Sequence, residues 1–138
     1  MEQCNHRNAD TMSLELQDIL YTMLHLVVIG FNLVGWIWKR TRKAHLWLVA
    51  LTAGSWAVLG IWYGWGYCPI TDWQWDVKRQ LGEKNLPNSF IKYYADKLSG
   101  ADIDAAVVDT VTVVVFGIVA ALSMVLNWRV LRVAKKVA

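Results

Sequence analysis

The 138-residue sequence predicts an all-α membrane protein: three transmembrane helices, N-terminus out and C-terminus in, plus two short amphipathic helices in the outer loop. Three observations predict it. Hydrophobic residues make up 56% of the chain and charged residues only 18%, with a mean hydropathy of +0.30, whereas soluble domains carry about 25% charge. Three long stretches, Ile19–Trp38, Ala44–Thr71 and Thr110–Trp128, contain no Asp, Glu, Lys or Arg. The basic residues cluster beside those stretches instead of spreading evenly. With 2 Pro, 9 Gly and 2 Cys, the composition also excludes disorder, collagen-like repeats and a disulfide scaffold.

A bilayer core of about 30 Å needs roughly 20 apolar residues in a helix. Spans are therefore expected at about 19–38, 45–68 and 105–128, after a polar leader over 1–17 and around an outer loop over 69–104. Pro69 ends the second stretch, because the residue before a proline avoids the helical conformation. Met12 is an alternative start, which would remove Cys4 and His6.

Orientation follows from charge. Lys39, Arg40, Arg42 and Lys43 fill the first connection, and Arg129, Arg132, Lys135 and Lys136 the tail. The positive-inside rule puts both in the cytoplasm, with the N-terminus and the long loop outside. The basic cluster follows the first span, so that span reads as an uncleaved anchor and not a signal peptide. Trp36, Trp38, Trp47 and Trp128 fall at the inner span ends, Trp62, Trp65, Trp73 and Trp75 near the outer ones. Two such belts suit amphipathic indoles at the headgroups.

At 100° per residue, Asp18, Tyr21, Thr22, His25 and Asn32 share one arc of the first span. Asp109, Thr112, Ser123 and Asn127 share an arc of the third, and Thr52, Ser55 and Tyr63 a face of the second beside Trp56. Polar groups in lipid seek one another, so these stripes are expected to face inward in a three-helix bundle. Ala53, Ala57, Gly60 and Gly64, and on the last span Gly117 and Ala121, form small-residue strips that let backbones approach. Rise arithmetic places His25, Thr112, Asp109 and Tyr63 at similar depth, and a His25–Asp109 contact with Tyr63 nearby is the specific expectation. Two readings stay open for it: a proton-handling or ligand site, or a hydrogen-bonded pin between helices.

In the loop, Thr71-Asp72-Trp73-Gln74 has the form of a capping box with Thr71 as N-cap, opening a helix to about Leu81 that stops at Gly82. Pro87, Asn88 and Ser89 open a second helix ending near Gly100. Both are amphipathic, either a docking surface on the outer leaflet or a lid over the helix ends.

The reactive residues assemble no familiar catalytic set: there is no phosphate loop, no G-x-S-x-G and no H-E-x-x-H. His25 and His45 lie at different depths, which disfavours shared haem ligation. No cofactor or metal is expected. A Cys4–Cys68 disulfide is one option for two outward-facing cysteines. The basic clusters read as topology and anionic-lipid contacts, not as nucleic-acid binding.

The segment Gly64-Trp-Gly-Tyr-Cys-Pro-Ile-Thr71, with His25 upstream and Phe90-Ile91-x-Tyr93-Tyr94 downstream, resembles a family of small bacterial membrane proteins, domain-of-unknown-function family 2784. The resemblance carries Gly66, Tyr67, Cys68, Pro69, Thr71 and His25, and implies a three-span bacterial inner-membrane protein without an established activity. Taken together, the first expectation is a non-enzymatic accessory or scaffolding component, with the lipid bilayer and either a membrane-protein partner or a second copy as its contacts. Two alternatives stand beside it. One is a redox or proton-linked protein using His25, Asp109, Tyr63 and Cys68, with quinone or metal. The other is a small transporter or channel subunit whose polar stripes, Asn32 and Thr112 among them, line a pore.

Overall fold

The computed structural model describes residues 2–63 and 67–137, and side chains within 11–63 and 67–128. Its elements are α1 (Glu2–Val34), α2 (Arg42–Gly54), a π-helical turn (Ser55–Leu59), α3 (Gly60–Tyr63), α4 (Pro69–Gln80), α5 (Phe90–Ser99) and α6 (Ala105–Val137). The described residues contain no strand. Three stretches are long and apolar enough to cross a membrane: Thr11–Val34, Arg42–Tyr63 and Ala105–Trp128.

Element ends differ from the sequence reading for local reasons. α1 starts inside the polar leader, where no Gly or Pro interrupts it. It stops at Val34 instead of continuing to Trp38, because the chain turns at Gly35. A Cβ there would stand 2.6 Å from the Phe31 carbonyl oxygen and 2.8 Å from Cδ2 of His45, so only glycine lets α2 close onto α1. Thr41 Oγ1 donates to the Gly35 carbonyl and Arg42 Nε to that of Trp36, sealing the turn. The second crossing is described as far as Tyr63, and beyond residues 64–66, which lie outside the described residues, Cys68 is extended at φ −128° and ψ 119°.

Packing is inverted relative to a protein that folds in water. His25, Asn32, His45, Thr71, Gln74, Lys78, Lys92 and Ser123 are buried. Leu20, Leu24 and Val27 of α1 and Val111, Val114 and Ile118 of α6 are exposed. Uncovered apolar surface on this scale is costly in water and costs nothing in hydrocarbon.

The polar stripe of α1 finds its partner in α4, for which the sequence left a leaflet surface and a lid both open. Asp18, Thr22 and His25 run antiparallel to Lys78, Gln74 and Thr71, each set spaced to stand on one helix face. Gln74 Nε2 donates to Asp18 Oδ1 at 2.7 Å and to Thr22 Oγ1 at 2.9 Å. Lys78 Nζ donates to Asp18 Oδ2 at 2.9 Å and to Glu83 Oε1 at 3.1 Å. α5 adds the Tyr94 hydroxyl, 2.8 Å from Thr22 Oγ1. The two loop helices thus form a lid on the bundle. Ser89 caps α5 through the Lys92 N–H, and Gly100 ends it in the left-handed conformation at φ +68°, as the sequence suggested. At the opposite end Asn127 Nδ2 donates to the Arg42 carbonyl, which brings both basic segments to one end of the bundle.

Candidate functional site

Each end of the bundle is organised around one histidine. His25, 5% exposed, donates Nδ1–H to the Tyr21 carbonyl at 3.0 Å, since a carbonyl can only accept. In the neutral ring this leaves the lone pair of Nε2 facing Thr71 Oγ1 at 3.0 Å and Cys68 Sγ at 3.9 Å. Phe90 stacks on the ring, centroids 4.1 Å apart and planes within 7°.

Three local features bring Cys68 there. The π turn in the second crossing widens the helix at Ser55, whose hydroxyl donates to the Tyr67 carbonyl at 3.3 Å and pins the returning chain. Pro69 at the first helical position forces Cys68 into extended backbone and makes it the N-cap of α4. Burial pushes the Cys68 thiol up, but the His25 hydrogen bond, the Thr71 backbone and side chain and the Ile70 N–H outweigh it and bring it down to about 7. Cys68 also lines a pocket of about 310 Å³ with Tyr63, Tyr67, Thr71, Asp72, Trp75 and Asn88.

His45 holds the other end. It is completely buried and donates Nε2–H to the Asn32 carbonyl at 2.8 Å, while Nδ1 meets Ser123 Oγ at 2.9 Å. Asn32 Nδ2 donates to the Val28 carbonyl and to Thr52 Oγ1, so three helices meet in one layer. Further out on α4, burial lowers the Lys78 ammonium, yet Asp18, Glu83 and Tyr93 outweigh it and hold the lysine above its ordinary value. Burial likewise raises Glu83, but the Tyr93 hydroxyl and Lys78 pull it below the usual carboxylate range.

Residues 15–128 match the family described as Protein of Unknown function (DUF2784). The chain belongs to that family. Its matched stretch contains both histidine centres and the whole lid. No curated protein and no solved structure matches the chain.

Several residues expected at one site stand apart. Asp109 is exposed and makes no contact with His25. The inward stripe of α6 passes through Val108 and Thr112, which turns Asp109 about 100° outward. Thr112 bonds only back to the Val108 carbonyl. Tyr63 is exposed and stacks on Tyr67 at 4.5 Å, beside the pocket and not on His25. Thr71 is no N-cap: with the helix beginning at Pro69 it is an interior residue, and its hydroxyl turns to His25. Gly66 lies outside the described residues. Trp75 is no belt residue either, being buried with its indole donating to the Pro87 carbonyl. Cys68 is a free thiol. Cys4, the other half of the disulfide option, lies outside the residues whose side chains are described. His45, considered in the sequence only for its depth relative to His25, was missed as a centre. The stripe of His45, Val49 and Thr52 on one helix face was the available signal.

Proposed function

We propose a non-enzymatic accessory or scaffolding protein of the bacterial inner membrane, N-terminus outside and C-terminus cytoplasmic, that holds a membrane-protein partner or a second copy of itself. One observation carries the reading: the small-residue faces are left uncovered. Ala53, Ala57 and Ala121 are exposed, and a Cβ built on Gly117 would meet nothing within 4 Å. Such faces let a neighbouring backbone approach closely, the main source of helix association in lipid. The gathering of the basic segments at one end supports the orientation. The inward polar side chains bond to one another across helices, which speaks against their lining an oligomeric pore.

The test is a crosslinking pull-down from native membranes with the original chain and with Gly117→Ile. The expected result is recovery of a membrane-protein partner or a second copy, lost in Gly117→Ile while thermal unfolding stays within about 0.5 kcal/mol. Recovery of the original chain alone contradicts the proposal.

A further inference from the structure

The lid could be held on α1 without a thiol, yet it places one beside an imidazole and at the wall of a pocket. Thr71 already satisfies His25 Nε2, and Cys68 Sγ lies 3.9 Å from the same nitrogen. The sulfur sits at the N-terminus of a twelve-residue helix, where free N–H groups favour an anion. We propose that Cys68 and His25 form a nucleophilic thiol site that captures small neutral or cationic disulfides by thiol–disulfide exchange.

The step balances. His25 Nε2 takes the thiol proton, and the Cys68 thiolate attacks one sulfur of R–S–S–R. A Cys68–S–S–R bond forms and the reagent's S–S bond breaks. The departing R–S⁻ recovers the proton from Nε2–H and leaves as R–SH. Cys68 sulfur is oxidised to the disulfide level while half of the reagent is reduced to a thiol. Capture is stoichiometric, because among the described residues no second cysteine stands at the pocket to resolve the mixed disulfide.

Two features select this chemistry. Acyl transfer needs donors aimed at an oxyanion, and the hydroxyl nearest the imidazole, Thr71 Oγ1, is engaged by His25 Nε2. Exchange asks only for a thiolate, access and a proton for the leaving group. The pocket wall offers one charged residue, Asp72, whose carboxylate accepts from the Tyr67 hydroxyl at 3.1 Å. The groups facing the thiol are therefore His25 from α1, Tyr63 from α3, Tyr67 from the connection and Asp72 from α4, with Phe90 of α5 behind the imidazole. Lys78, ten positions beyond Cys68 and about three helical turns along α4, is held by Asp18 and Glu83. A carboxylate without a neighbouring cation repels anionic reagents. The supply of disulfides rests on the orientation proposed above, which puts this end in an oxidising compartment; the reactivity itself does not.

The experiment uses the full chain carrying Cys4→Ser in detergent micelles, with labelling at Cys68 followed by intact mass. Iodoacetamide alkylation between pH 5 and 10 is expected to reach half its maximal rate near pH 7, not near the value of about 8.5 of a free cysteine. Cystamine is expected to add one mixed disulfide several times faster than the dianionic dithiodiglycolate. His25→Gln removes one of the groups that lower the thiol, so the thiolate fraction at pH 7 falls by at most about 15-fold while each thiolate becomes up to about fivefold more nucleophilic. The net expectation is slower alkylation at pH 7, by up to about threefold, and faster alkylation above pH 10, by up to about fivefold, a crossing of profiles that loss of packing does not produce. A midpoint near 8.5, superimposed profiles, or equal rates for the two disulfides overturns the proposal. Should His25→Gln fail to fold, the midpoint and disulfide selectivity of the His25 protein decide it alone. None of these readouts depends on whether the chain associates with a partner.

Discussion

The two ends of the bundle use one device in different surroundings. At both, a histidine anchors one nitrogen on a backbone carbonyl and turns the other to a hydroxyl on another helix: Tyr21 and Thr71 for His25, Asn32 and Ser123 for His45. His45 is completely enclosed, with Gly35 pressed against its ring. His25 has a second neighbour, the Cys68 thiol, and a pocket beyond it. The two histidines are both buried by the bundle and differ in what stands beside the second ring nitrogen: a hydroxyl alone at His45, a hydroxyl, a thiol and a pocket at His25.

Perturbing the sealed end should cost the most. His45→Ala leaves the Asn32 carbonyl and the Ser123 hydroxyl without partners and opens a cavity, so it is expected to destabilise the protein by about 3 kcal/mol in detergent unfolding. An unchanged unfolding midpoint would remove the distinction between the ends. Lys78→Met tests the lid. The lysine side chain is 2% exposed while Asp18 and Glu83 keep 20% and 36%, so both carboxylates can still reach water. A loss of about 2 kcal/mol is expected, with faster proteolysis between residues 81 and 89. Acid gives the smallest effect. The Glu83 carboxyl titrates lower in the folded state than in the unfolded one, so its contribution is present above its ordinary value of 4.5 and is lost as the pH falls through the depressed folded value. Below pH 4.5 the unfolding temperature should fall, and in Glu83→Gln it should fall less steeply, by under about 1 kcal/mol given the exposure of the group.

Much of this was legible in the sequence, and what was not has identifiable causes. Charge-free runs mark the spans because lipid tolerates few charges, and Ser89 and Gly100 mark α5 because caps are local chemistry. His25 stood out, yet its partner was misassigned. A helical wheel gives the face of a residue and not which element covers that face. α4 reaches His25 because the returning chain at Tyr67 is held against Ser55 of the second crossing, a tertiary contact with no local signature. Thr71 looked like a cap since its spacing to Gln74 fits one, but Pro69 starts the helix a residue past Cys68 and hands both side chains to α1. Asp109 misled through one step of phase: Val108, not its charged neighbour, faces inward.

Both histidine centres require hydrocarbon outside and polar contacts within. Oxygen accessibility of spin labels placed singly along α6 in lipid bilayers tests this directly. The account predicts a helical period with maxima at Val111, Val114 and Ile118 and minima at Val108, Val119 and Ser123, and exclusion of a water-soluble relaxation agent from the maxima. Equal oxygen accessibility on both faces, or maxima reached by the water-soluble agent, would contradict it.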